Sequence, residues 1–120
     1  MATKTTTGAK PVSGSGDSVL HTWTLTTADH TGDAVTGYED YADVTVQVFG
    51  TFGGATMTLE GSLDGGDTYA PLTDPQGNAI AKTSAALESV SEAVPRLRPR
   101  LSTAGSGASL TVIVYQRKAK

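Results

Sequence analysis

Residues 43–63, DVTVQVFGTFGGATMTLEGSL, decide the fold class. Val44, Val46 and Val48 alternate with Thr45, Gln47 and Phe49, the period of two that sends successive side chains to opposite faces of a strand. Gly53-Gly54 follows, and paired glycines accept the positive φ of a tight turn, which predicts a hairpin. The return segment places Ala55, Met57, Leu59, Gly61 and Leu63 on one face. Its β-branched and hydroxylated residues suit a pleated, half-buried surface.

The same alternation extends outward. Val19, His21, Trp23 and Leu25 share one face of a strand beginning at Ser18, and Leu110, Val112 and Val114 share one face of a final strand. Ile113 and Tyr115 lie on that last strand's other face. Apolar residues on both faces mark central strands, or strands covered by another subunit. Residues 26–42 are rich in turn formers and read as a long loop with a short strand near Val35. TYAPL is a short strand, and DPQGNA (Asp74–Ala79) is a turn. Residues 80–94 read as strand, with a short helical option at 85–87. PRLRPRLST alternates basic and apolar, and its prolines predict an edge strand. TAGSGA (103–108) reads as a hairpin loop. Short strands with turns at this spacing predict an all-β protein, an antiparallel β-sandwich that is jelly-roll-like.

The chain has 120 residues, enough for one modest core in residues 18–120. It has no cysteine, hence no disulfide framework or thiolate metal site. Net charge is −3, which argues against a nucleic-acid binder. No apolar run approaches the ~20 residues of a membrane span, and the N-terminus lacks the apolar core of a signal peptide. We therefore expect synthesis in a cytoplasm. Residues 1–17 hold almost only Thr, Gly, Ser, Ala and Lys, too little apolar area to offset their ordering entropy alone. They predict an extended N-terminal arm, up to about 50 Å long at full stretch. We expect it to lie on a neighbouring subunit; the alternative is an arm folded back on its own domain.

Ser62-x-Asp64-x-Gly66-x-Thr68-Tyr69 resembles the Asp-box, the hairpin signature repeated around sialidase propellers. Each residue has a structural task. Asp64 can accept backbone N–H groups across its own turn, glycine permits the bend, and Tyr69 is expected to plug the hairpin base into the core. One copy in so short a chain cannot make a propeller. Asp29, Asp33, Glu39, Asp40 and Asp43 crowd the long loop, but their spacing matches no calcium-loop pattern. No metal or cofactor is expected. His21 sits on an apolar face, His30 lies in the acidic loop, and no nucleophile elbow accompanies either. The residues therefore predict no enzyme.

Arg96, Arg98 and Arg100, spaced by two, project from one strand face with Leu97 and Leu101 behind them. They read either as a solvated face paired with cross-strand acids or as a patch that docks onto acidic protein surface.

The run DVTVQVFGTFGGATMTLEGSLDGGDTYAPLTDPQGNAIA, taken with VPRLRPRLSTAGSGASLTVIVYQR, resembles small β-proteins of tailed-bacteriophage structural modules. These share a pattern like GTFGGATVTLEGSNDGGTTW, then a DxxGxA turn and an LTVxV strand. Here Leu63 stands for the usual Asn and Tyr69 for the usual Trp. The match spans Val44 to Val114 and leaves the first 43 residues unplaced. It implies a capsid decoration (cement) protein or related head accessory subunit, a virion protein on the capsid exterior that bridges capsomers. It further implies a homotrimer with the major capsid protein as partner. The expected contact residues are Thr5, Thr6, Thr7, Lys10 and Val12 of the arm, with Arg96, Arg98 and Arg100. The alternatives are a tail or head-fibre component, or a carbohydrate-binding module stacking sugars on Trp23, Tyr38, Tyr41 or Tyr69.

Overall fold

The computed structural model describes residues 3–4, 7–11, 18–36 and 41–118. Their elements are all β. In chain order they are β1 (Thr3–Lys4), β2 (Thr7–Pro11), β3 (Ser18–Thr26), β4 (Thr31–Gly32), β5 (Val35–Thr36) and β6 (Tyr41–Thr51). Then come β7 (Thr56–Ser62), β8 (Ala70–Pro71), β9 (Ala81–Lys82), β10 (Ala86–Val90), β11 (Arg96–Thr103) and β12 (Ser109–Lys118).

Two sheets form a β-sandwich. One has the order β10-β6-β12-β3-β2. The other has the order β1-β4-β11-β7-β8, with β5 also beside β11 and β9 beside β7. The named strands pair antiparallel except β1 with β4. From β3 onward the chain crosses between sheets repeatedly. The inward positions are those the alternation marked: Trp23 and Leu25 of β3, Val44, Val46 and Val48 of β6, Met57 and Leu59 of β7, and Leu110, Val112 and Val114 of β12. Trp23 is fully buried, and its Nε1–H donates to the carbonyl of Asp33 at 3.0 Å.

Three local expectations are corrected. Gly53 and Gly54 do adopt positive φ, 56° and 84°, and Ala55 N donates to Phe52 O at 2.8 Å. Yet β6 and β7 lie in different sheets, so the turn is an arch and not a hairpin. Alternation fixes which side chains face the core, but a hairpin and an arch satisfy it equally. The loop 104–108 is likewise an arch, from β11 in one sheet to β12 in the other. The two arches brace each other, with Ser106 N donating to Gly53 O at 2.9 Å.

β11 is not an edge strand: it pairs with β7 on one side and with β4 and β5 on the other. Its proline is accommodated by a gap. Leu101 N donates to His30 O at 2.7 Å, so by strand alternation the ring nitrogen of Pro99 faces the same neighbour. Arg100 registers with Thr31 of β4 and Leu97 with Val35 of β5, so Pro99 falls at the break between them. No ladder bond is lost there. Residues 86–87, part of the helical option, are extended in β10 and pair with β6.

Candidate functional site

The turn between β7 and β8 is a true hairpin, with Gly61 opposite Ala70. Ser62 Oγ donates to Asp64 Oδ1 at 2.7 Å and accepts Gly66 N–H at 2.9 Å. Asp64 Oδ1 also accepts Thr68 N–H at 2.9 Å. These bonds, that from the Thr68 backbone first and that from Ser62 next, stabilise the carboxylate and lower its pKa to about 2. Ser62, Asp64, Gly66 and Thr68 thus brace the turn. Tyr69 does not enter the core. Its half-buried ring lies on the outer face of the sheet, under the guanidinium of Arg98 at 3.7 Å from the ring centroid. The core position in this hairpin belongs to Leu72, which is buried.

The hairpin sets one wall of a cleft whose other wall is β11. Arg96, Arg98 and Arg100 share the outward face of β11, while Leu97, Pro99 and Leu101 are buried behind it. Register places Arg98 directly opposite Glu60 of β7. Glu60 is 3% exposed, although it stands on the outward side of its strand, because the two arginines cover it. Arg98 Nε donates to Glu60 Oε1 at 2.8 Å. Arg100 Nε reaches both carboxylate oxygens at 3.2 Å. Glu60, Gly66, Asp67, Tyr69, Arg98 and Arg100 line an open cleft of about 320 Å³. Arg96 lies across its rim: a Cβ built on Gly66, whose φ is 95°, would stand 3.1 Å from Arg96 Cδ. Of the two readings of the stripe, cross-strand pairing thus holds for Arg98 and Arg100. Arg96 makes no ion pair among the described residues.

The outer face of the five-stranded sheet has different chemistry. Leu87 of β10, Phe49 of β6, Ile113 and Tyr115 of β12 and Leu20 of β3 stand there among Thr22, Thr45, Gln47 and Thr111. Leu87 is 66% exposed and Phe49 40%. Among the described side chains the charges on this face are Asp43 and Arg117, joined to each other at 2.7 Å at one end.

Comparison with protein-family models, with curated proteins and with solved structures gives no match. The candidate site therefore stands on its own geometry.

Thr5, Thr6 and Val12 lie outside the described residues. Thr7 and Lys10 belong to β2, which pairs with the chain's own β3, and β1 pairs with β4. The described stretches of the arm thus fold back on their own domain. Trp23, buried in the core, offers no sugar platform. Tyr38, Glu39 and Asp40 fall outside the described residues. Among the described residues no group of three or more acids and histidines is placed to hold a metal ion. His21 is buried and hydrogen-bonds through Nε2 to Gln116 Oε1 at 2.9 Å. Burial pushes its pKa below the ordinary 6.5, against a smaller opposing effect from Gln116.

Glu60 is the residue of the candidate site that sequence reasoning missed. Its outward parity in β7 was readable, but its partners lie nearly forty residues away, and strand-to-strand neighbourhood is not written in local alternation. The one signal was the chemistry itself: a lone glutamate in an otherwise uncharged strand, facing a strand with three arginines.

Proposed function

We propose that this protein is a structural, non-enzymatic subunit that decorates the exterior of a phage capsid and strengthens it by bridging capsomers. A bridging subunit needs contact surfaces in more than one direction, and the sandwich carries one on each outer sheet. The observation that carries the reading is the outer face of the five-stranded sheet. Five strands spaced about 4.8 Å apart, over six intervals of about 3.3 Å, give a face of about 500 Å². Covered by an equal area of a different surface on another copy, as a cyclic trimer requires, it buries about 1,000 Å² in total, the size at which specific association begins. A face whose described charges are a single ion pair at one end, with exposed Leu87 and Phe49, is costly to leave in water. Its occupant, in this reading, is a second copy of the chain, within a homotrimer.

The opposite sheet then faces the shell with the Arg96, Arg98 and Arg100 stripe, whose partner is acidic surface of the major capsid protein. The resemblance between Val44 and Val114 supports the same assignment. Many modest contacts acting together resist internal pressure by avidity, since opening the shell must also break every bound copy. The test is co-sedimentation of the purified chain with heads built from the cognate major capsid protein. Saturation at a fixed ratio to shell subunits is expected. A chain that stays in the supernatant at all concentrations refutes the proposal.

A further inference from the structure

We infer that the cleft between the Asp64 turn and β11 is a carboxylate-binding site that receives an acidic side chain of a partner protein. Only the partner's identity rests on the capsid reading; the chemistry of the cleft does not.

The charge balance is the first argument. The lining itself is balanced, Arg98 and Arg100 against Glu60 and Asp67, and Arg96 at the rim adds a guanidinium with no described ion pair, in a chain whose net charge is −3. The second argument is the disposition of donors. Each guanidinium carries five N–H bonds. Arg98 and Arg100 each use Nε on Glu60, and among the described residues their Nη groups make no hydrogen bond. Side-chain exposures of 28% and 34% leave those groups within reach of an incoming ligand. Planar N–H pairs match the two oxygens of a carboxylate.

The third argument is preorganisation. Arg98 is held between the buried Glu60 and the ring of Tyr69, so its side-chain entropy is already spent before a ligand arrives. Glu60 acts here as a positioning residue: it fixes two cations while remaining out of contact with the ligand. Arg96 supplies a third guanidinium at the rim, uncommitted to any described acid. With the lining acids and arginines in balance, extra charge on an anion gains as much repulsion as attraction, so a doubly charged phosphate has no Coulombic advantage over a single carboxylate. The chain's negative charge opposes a polyanion such as nucleic acid.

The experiment is an amide NMR titration of the full chain at low salt with a capped peptide of alternating Asp and Glu. Its Asn/Gln twin and a thymidine oligonucleotide serve as comparisons. Saturable shifts centred on Gly66, Asp67, Tyr69 and Arg98 are expected for the acidic peptide and not for the twin. Arg96→Gln should weaken binding by roughly tenfold, the loss of one charge-assisted hydrogen-bonding group. Arg96→Lys should fall between, since charge remains and the fork is lost. Arg96 holds no described ion pair, so a well-dispersed spectrum of Arg96→Gln separates lost binding from lost folding. Equal binding of the twin, shifts centred elsewhere, unchanged affinity in Arg96→Gln, or tighter binding of the oligonucleotide in the cleft would each overturn the inference. Peptide binding without shell binding leaves the site standing and removes the capsid reading; shell binding without peptide binding does the reverse.

Discussion

Removing both arginines from Glu60 should cost more than the two single removals suggest. In Arg98→Ala the carboxylate keeps Arg100 Nε on both oxygens at 3.2 Å. The loss is then one charge-assisted bond, together with the ring contact of Tyr69. Partial exposure of Arg98 trims these to about 1.5–2 kcal/mol. In Arg100→Ala the shorter bond from Arg98, 2.8 Å, remains, and about 1 kcal/mol is lost. The double variant strands a carboxylate that the native fold leaves 3% exposed. An uncompensated buried charge costs about 3–5 kcal/mol, less whatever solvent the two truncations admit. The single losses sum to about 2.5–3 kcal/mol, so the middle of the range for the double variant leaves a coupling of about 1 kcal/mol, as for neighbours sharing one partner. Urea unfolding read by the single tryptophan, Trp23, measures each value. If the double variant is simply additive, or falls short of about 2 kcal/mol, Glu60 is solvated enough to manage alone. The account of the arginines as pinned by a buried acid then fails.

Further expectations concern the turn, the buried histidine and the arch. Asp64 should titrate near 2 by carboxyl NMR, and Ser62→Ala should raise it towards the ordinary 3.8. Because its folded pKa lies below the unfolded value, its stabilisation is present above about pH 3.8 and lost as pH falls towards 2. His21 also has a depressed folded pKa, so folding opposes its protonation: stability should hold above the unfolded 6.5 and decline as pH drops below it. His21→Asn should flatten that decline in urea midpoints measured at pH 7.5 and 5.5, and an unflattened profile assigns the decline to other groups. Gly54→Ala meets no atom within 4 Å but must hold φ 84°, at a cost of about 1 kcal/mol. Gly53→Ala adds a Cβ 2.2 Å from Ser106 O and should lower the thermal midpoint clearly further. Equal midpoints for the two variants would mean the arches do not brace each other.

The faces of individual strands were legible in the sequence because burial imposes a period of two. His21, Trp23 and Leu25 of β3, and Leu110, Val112 and Val114 of β12, point inward as their spacing required. What alternation cannot carry is which strand sits beside which. The Gly53-Gly54 turn has the φ values of a hairpin but joins two sheets, because facing sheets present the same inward valines and leucines to one core. Pro99 suggested an edge because it lacks a donor; the break between β4 and β5 supplied another way to miss none. The arginine stripe was legible as a face, and its anchor Glu60 was not, since their adjacency depends on the pairing of β7 with β11. Tyr69 was expected to fill the core because hairpin aromatics commonly do. A cation on the outer face gave its ring a better surface, and Leu72 took the buried place.

The capsid reading meets its most direct test in the heat stability of heads carrying the chain. Scanning calorimetry of cognate heads, with and without a saturating amount of the purified protein, compares the temperature at which the shell opens. A ligand that binds the closed shell and not the opened one must raise that temperature with concentration. A concentration-dependent rise that saturates with occupancy and shrinks in Arg96→Gln is expected. An opening temperature that stays fixed while the protein is bound contradicts it.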